Sequence, residues 1–118
     1  MVKFKMYSEQ RPTAQIFAYD EKQSKHPVGW AMVALHGPES ASIINILVHE
    51  PYRRRGYGKA LIERLQGVFN KIDSDFTSAT INSAGNMLCL KMGFEPQPTA
   101  IKGVGKLVWK KEKKDEPK

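Results

Sequence analysis

Cysteine is almost missing from this chain: Cys89 is the only one in 118 residues. One thiol can form neither an intramolecular disulfide nor a cysteine-rich zinc site, so a reducing, cytoplasmic setting is expected. Long apolar runs are missing too. The longest unbroken one, Trp30 to Leu35, falls far short of the roughly 20 residues that cross a bilayer, and Met1-Val2-Lys3-Phe4-Lys5 has no apolar signal core behind it. Neither a membrane-spanning nor a secreted chain is expected. Acidic residues are the minority, 12 against 19 Lys and Arg, and the net charge of +7 favours anionic partners such as nucleotides, nucleic acid or an acidic protein surface.

What is present suits a folded domain. Hydrophobic residues make up 41% and charged residues 26%, away from the composition that keeps chains disordered. The length fits one core, read as a single domain over 1–109. Residues 110–118, from Lys110 to Lys118, hold five positive and three negative charges and no apolar side chain, and read as a solvated tail. That tail carries only two of the net charges, so the basic bias belongs to the folded part.

A strand is expected over Val2–Tyr7, then two over Ala14–Tyr19 and Val28–Leu35 joined by a long polar loop. A turn at His36–Ser40 precedes the aliphatic strand Ile43–Val48, interrupted by Asn45. Leu61, Leu65, Val68 and Phe69 recur at helical spacing, predicting an amphipathic helix from Gly58 to near Asn70. A short strand over Phe76–Ile81, a helix capped by Asn82 or Ser83 and closed by Gly93, and a strand over Val104–Lys111 complete the reading. The order predicts a mixed α/β domain with at least one parallel strand pair.

The most informative stretch is Val48-His49-Glu50-Pro51-Tyr52-Arg53-Arg54-Arg55-Gly56-Tyr57-Gly58-Lys59-Ala60-Leu61, where a buried strand meets a helix through three arginines and two glycines. Glycines let a backbone approach a ligand, and first-turn N–H groups with the helix dipole offer positive potential to a phosphate. There is no Gly-Lys-Ser/Thr ending of a Walker A loop and no three-glycine dinucleotide spacing.

Here the sequence resembles the GNAT superfamily of N-acetyltransferases. Arg53-Arg54-Arg55-Gly56-Tyr57-Gly58 matches that family's Gln/Arg-x-x-Gly-x-Gly/Ala loop, and Asn82 to Phe94 is similar to its Asn-x-x-Ala-x-x-Leu-Tyr-x-x-x-Gly-Phe motif, with Asn82, Leu88, Gly93 and Phe94 aligned. The resemblance implies a mixed, mostly antiparallel sheet with a central V-shaped splay and flanking helices. It implies acetyl-CoA as co-substrate without a metal: backbone groups from Arg53 through Arg54, Arg55, Gly56, Tyr57 and Gly58 to Lys59 on the pyrophosphate, Leu47 and Val48 on the pantetheine arm, the Val48 N–H on the thioester carbonyl, and Asn82 beside the pantetheine.

Two departures from the family pattern bear on catalysis. Cys89 stands where a tyrosine commonly protonates the leaving thiolate, and Asn45 stands where an acidic base is usual, leaving His49, Glu50 or a water relay. A small buried helical cysteine and a loop histidine are the plain alternatives for Cys89 and His49; His26 and His36 are expected to face solvent in hairpin turns. The N-terminus is also too short for the two helices that wall the family's acceptor site. An open groove, or one completed by a dimer mate or another protein, is therefore expected, with Glu50, Glu95, Asp20 and Glu21 as its candidate acidic groups. The leading reading is an acetyl-CoA-dependent N-acetyltransferase acting on a primary amine of a protein or small molecule. The alternatives are a catalytically lapsed CoA-binding or protein-interaction module and, less favoured, a basic nucleic-acid-binding protein.

Overall fold

Seven strands and two helices follow one another in the computed structural model, which describes residues 2–7 and 12–111. They are β1 (Val2–Tyr7), β2 (Thr13–Asp20), β3 (Gly29–Leu35), β4 (Ser40–Val48), α1 (Tyr57–Val68), β5 (Lys71–Thr77), α2 (Ala84–Lys91), β6 (Glu95–Pro98) and β7 (Val104–Lys110), with a 3-10 turn at Glu50–Tyr52 ahead of α1. One sheet holds all seven strands in the order β1-β2-β3-β4-β5-β7-β6. Every pairing is antiparallel except β4 with β5, where α1 makes the crossover a parallel pair requires.

Alternation decides which face is covered. Ala14, Ile16 and Ala18 of β2 and Ala31 and Val33 of β3 are buried and join one core with Tyr57, Leu61, Ile62 and Leu65 of α1. On the opposite face Phe17, Tyr19, Trp30 and Met32 are only partly buried, and no helix among the described residues covers them. They use their own strands: Tyr7 sits edge-on to Phe17 at 5.7 Å, and the Lys5 ammonium lies 5.3 Å above the Tyr19 ring. β1 pairs directly with β2 from Val2↔Asp20 to Tyr7↔Gln15.

The functional geometry comes from how β4 leaves its neighbour. β4 and β5 pair only at Ser40↔Lys71, Ala41↔Ile72 and Ser42↔Asp73, then run on to Val48 and Thr77 apart from each other. The β3–β4 register shifts between Met32 and Val33, whose partners are Asn45 and Ile43, so Ile44 is the extra residue of a bulge. A bulge bends its strand and increases the local twist, which turns β4 out of the ladder where the gap opens.

Several expected boundaries move. β5 runs over Lys71–Thr77 rather than Phe76–Ile81; the residues after Thr77 form a turn, with the Thr80 and Ile81 N–H groups donating to the Thr77 carbonyl at 3.0 and 2.9 Å. β6 was not anticipated, because Pro96 and Pro98 deny it donors; it forms an exposed edge that pairs with β7 alone. β7 ends at Lys110, one residue short of the expected Lys111, whose N–H donates to the Asn70 carbonyl at 2.8 Å, so the strand runs into the start of the charged segment. Residues 112–118 lie outside the described residues.

Candidate functional site

The strand-to-helix junction is built from backbone conformations that most residues avoid. Gly56 caps α1 at φ +86, and Arg54, two residues earlier, has φ +66, the one positive value at a non-glycine residue among the described ones. Such strain costs on the order of 1–2 kcal/mol and concentrates at ligand-holding turns. It wraps the chain so that successive N–H groups can share one concavity at the positive end of α1. Side chains fasten the turn on both sides. The Arg53 Nε–H donates to the Val48 carbonyl at 2.9 Å, the Arg55 Nη1–H donates to Gln23 Oε1 at 2.5 Å, and the Tyr57 hydroxyl donates to Asp20 Oδ2 at 2.6 Å. That last bond lowers the Asp20 carboxyl below its ordinary range and raises the Tyr57 phenol.

A cleft of about 590 Å³ opens beside this junction, lined by Leu47 and Val48 at the end of β4, by Arg53, Arg54 and Gly56–Lys59, and by Ala84, Gly85 and Leu88 of α2. A second, of about 640 Å³, fills the splay: Ser42–Ile46 form one wall, Ser74 and Asp75 the other, and Thr80, Ser83, Asn86 and Cys89 the floor. Ile46 and Gly85 line both. A Cβ on Gly85 would lie 3.2 Å from Ile46 Cγ2, so glycine keeps this junction open where a larger residue would narrow it.

Backbone direction in β4 completes the site. The His49 N–H donates to the Val28 carbonyl on the β3 side at 3.0 Å, so strand alternation turns the N–H and carbonyl groups of Ile46 and Val48 away from β3, into the splay. Asn45 Oδ1 accepts from the Ile46 N–H at 2.9 Å, and Arg53 occupies the Val48 carbonyl. The asparagine that interrupts an otherwise aliphatic strand thus satisfies a ladder donor that β5 no longer reaches.

A family model of the acetyltransferase (GNAT) domain matches residues 12–96. The chain belongs to that family. It is similar to GCN5-related N-acetyltransferase 2, chloroplastic, of Arabidopsis thaliana, at 31% identity over 85 residues covering 72% of this chain and 33% of that protein. The chain therefore spans about a third of the length of that curated relative. Among solved structures it is similar to the GNAT domain of S. lividans PAT, with TM-score 0.68 and 14% identity over 88% of this chain and 64% of that one. It is also similar to the Campylobacter jejuni N-acetyltransferase PseH solved in complex with acetyl coenzyme A, with TM-score 0.66 and 11% identity over 88% of this chain and 72% of that one. These two likenesses are of fold: a mixed, mostly antiparallel seven-stranded sheet flanked by helices.

Within this GNAT domain the residues expected from sequence divide. Leu47, Val48, Arg53, Arg54, Gly56, Tyr57, Gly58 and Lys59 line the first cleft together. Arg55 does not; its guanidinium is turned to Gln23 in the β2–β3 loop. Cys89 lines the splay and is 1% exposed, and burial pushes its thiol up to about 11. His49 is exposed ahead of the 3-10 turn and lines neither cleft. Asn82 is likewise exposed and outside both; Ser83 caps α2, accepting from the Asn86 N–H, and the buried Asn86 Nδ2–H donates to the Thr80 carbonyl at 2.6 Å. Of the acidic groups expected near an acceptor, Glu50, Glu95, Asp20 and Glu21 line neither cleft, whereas Asp75 lines the splay.

Sequence reasoning missed a polar chain at the closed end of the splay. His36 Nε2 lies 2.6 Å from Ser42 Oγ, and the Ser42 hydroxyl donates to Asp73 Oδ1. Lys106 Nζ is 3.9 Å from Asp73 Oδ2. His36 is exposed as expected, but its ring is engaged rather than free in solvent. No sequence signal links residues so far apart; only the Ser42↔Asp73 register joins them.

Proposed function

We propose that the chain is an acetyl-CoA-dependent N-acetyltransferase that acetylates a primary amine. The observation that carries this is the continuity of the two clefts at Ile46 and Gly85: a helix N-terminus flanked by arginines opens into a strand gap whose walls offer polar side chains. In this reading the Arg53–Lys59 turn holds the pyrophosphate, with Arg53 and Arg54 adding charge-assisted contacts. The pantetheine arm follows β4 past Leu47 and Val48, and the acetyl group reaches the splay. The thioester supplies the acetyl group; the chain's own residues orient it and the amine, and the Val48 N–H stabilises the charge that develops on the thioester oxygen.

Cys89 faces the reacting centre in this arrangement as a packing residue. A thiol at about 11 is a weaker acid than the alkyl thiol it would protonate, and it holds too little thiolate to serve as a nucleophile. The leaving thiolate takes its proton from solvent. Among acceptors, the overall +7 disfavours strongly cationic ones at long range, while Asp75 in the splay suits a single ammonium group.

Calorimetric titration with CoA and acetyl-CoA, followed by thiol release over a panel of amines, tests this reading. Gly56→Val adds a side chain at φ +86, where a β-branched residue is strongly disfavoured, and should lower CoA affinity at least tenfold in a protein that remains folded. CoA binding as tight as the parent's would show that the turn is not the phosphate site.

A further inference from the structure

We infer that Asp20 and Gln23 of the β2–β3 loop are positioning residues for the phosphate turn, and that Arg55 acts with them as a strut instead of a phosphate ligand; the inference rests on the CoA-binding part of the reading above. The loop braces the strand-to-helix junction from both sides. At its far end the Val28 carbonyl accepts from the His49 N–H at 3.0 Å, where the chain leaves β4, and Gly29 pairs with Val48. A Cβ on Gly29 would lie 2.8 Å from the Leu47 carbonyl oxygen, so glycine lets β3 approach the end of β4 this closely. At its near end Asp20 Oδ2 accepts from the Tyr57 hydroxyl at 2.6 Å, in the first turn of α1, and Gln23 Oε1 accepts from the Arg55 Nη1–H at 2.5 Å.

Between those anchor points runs the turn with Arg54 at φ +66 and Gly56 at φ +86. A positive φ at arginine persists only where the surroundings fix it, and the loop supplies that fixing. Asp20 is the hub. Its Oδ1 accepts from the Lys22 N–H at 3.1 Å, and its carbonyl accepts from the Gln23 and Ser24 N–H groups at 2.9 and 3.1 Å, a tight turn that brings Gln23 back toward Arg55. Asp20, Gln23 and Arg55 all lie outside the cleft that Arg54 and Lys59 line, so their bonds reach a ligand there through the backbone they hold. A carboxylate beside an anion site opposes the ligand's charge, so what Asp20 contributes is geometry: a turn held in shape before the ligand arrives binds it without a further ordering cost.

Calorimetric titration of the full chain with CoA, beside urea unfolding, tests the strut. Gln23→Ala removes no charge and touches no cleft residue, yet it should weaken CoA binding about threefold at an unchanged urea midpoint, as should Arg55→Ala. The double variant should also be about threefold weaker, where two independent losses would multiply to about ninefold. Asp20→Ala should weaken binding about tenfold although it removes a negative charge that repels the ligand. If Arg55 were instead a phosphate ligand, Gln23→Ala would free its guanidinium, and CoA would bind as tightly as to the parent or more tightly; that result overturns the strut, as does a ninefold loss in the double variant or tighter binding to Asp20→Ala. A fall in the urea midpoint of Gln23→Ala that matches its loss of affinity would mean a general structural role and overturn it as well. Gln23 is exposed, so its variant decides the matter even where Asp20→Ala does not fold. These outcomes leave CoA binding by the parent standing, whereas a parent that binds no CoA would overturn the strut together with the transferase reading.

Discussion

Cys89 shows how one residue's surroundings decide its chemistry. Its place beside the cleft was legible only through the family resemblance, which aligns it with a tyrosine of the motif; its acidity was not, because that depends on burial among residues distant in sequence. Burial moves the thiol from 9.0 to about 11, which makes thiolate roughly a hundredfold scarcer at neutral pH. Alkylation by iodoacetamide at pH 7 should accordingly be on the order of a hundredfold slower than that of an unperturbed thiol, and should accelerate as pH rises toward 11. Cys89→Ala should lower kcat less than about threefold while costing about 1 kcal/mol of stability through lost packing, read by urea unfolding. A hundredfold fall in kcat would make Cys89 the acid after all. Asn45 carries the same lesson: it interrupts an aliphatic strand in the sequence, yet it holds a backbone group that the splay would otherwise leave unpaired, as Asn86 does at the turn after β5.

Among elements, those with periodic apolar sequence were legible and those built from polar strands were not. α1 declares itself through Leu61 and Leu65, and β2, β3 and β4 through their aliphatic content. β5 begins Lys71-Ile72-Asp73-Ser74-Asp75, which reads as a loop until its register with β7 and β4 is known. The contact between α1 and α2 makes a sharper prediction. A Cβ on Gly58 would lie 2.9 Å from Leu88 Cδ2, the movable end of a side chain that lines the first cleft. Gly58→Ala gains about 1 kcal/mol of helix propensity and loses a similar amount in crowding, so stability should change by less than about 1 kcal/mol. CoA affinity should fall about tenfold as Leu88 shifts into the cleft, and calorimetry beside urea unfolding separates the two effects. The tie between the β2–β3 loop and α1 predicts a pH window. Asp20 is held below its ordinary 3.8 by the Tyr57 hydroxyl, so its stabilising contribution is present above that value and lost as pH falls through the lowered one. Tyr57 is held above its ordinary 10.0, so its contribution is present below 10.0 and lost as pH rises through the raised value. The stability difference between the parent and Tyr57→Phe should therefore be widest between about pH 4 and 10 and narrow on either side.

At the scale of the whole molecule, charge and sheet geometry divide the work. Among the described residues the sheet covers one face with α1 and α2 and leaves aromatic residues of the other without a helix, while its splay brings polar groups of β4 and β5 to a gap that adjoins the first cleft. The net charge of +7 favours the approach of anions to the molecule as a whole. Arg54 and Lys59 line the first cleft and are exposed, so their attraction acts through water and is screened over about 10 Å at 0.1 M salt and about 3 Å at 1 M. Acetyl-CoA carries phosphates; acetyl-pantetheine carries the same thioester arm with none. If the turn holds phosphate and β4 holds the arm, raising salt from about 0.05 M to 0.5 M should weaken CoA binding by roughly tenfold and leave acetyl-pantetheine turnover nearly unchanged, and Arg54→Ala should reduce the salt dependence of the first without altering the second. Equal salt sensitivity of the two donors would place the electrostatic contribution on the acceptor side, at Asp75 and its neighbours, rather than at the helix terminus.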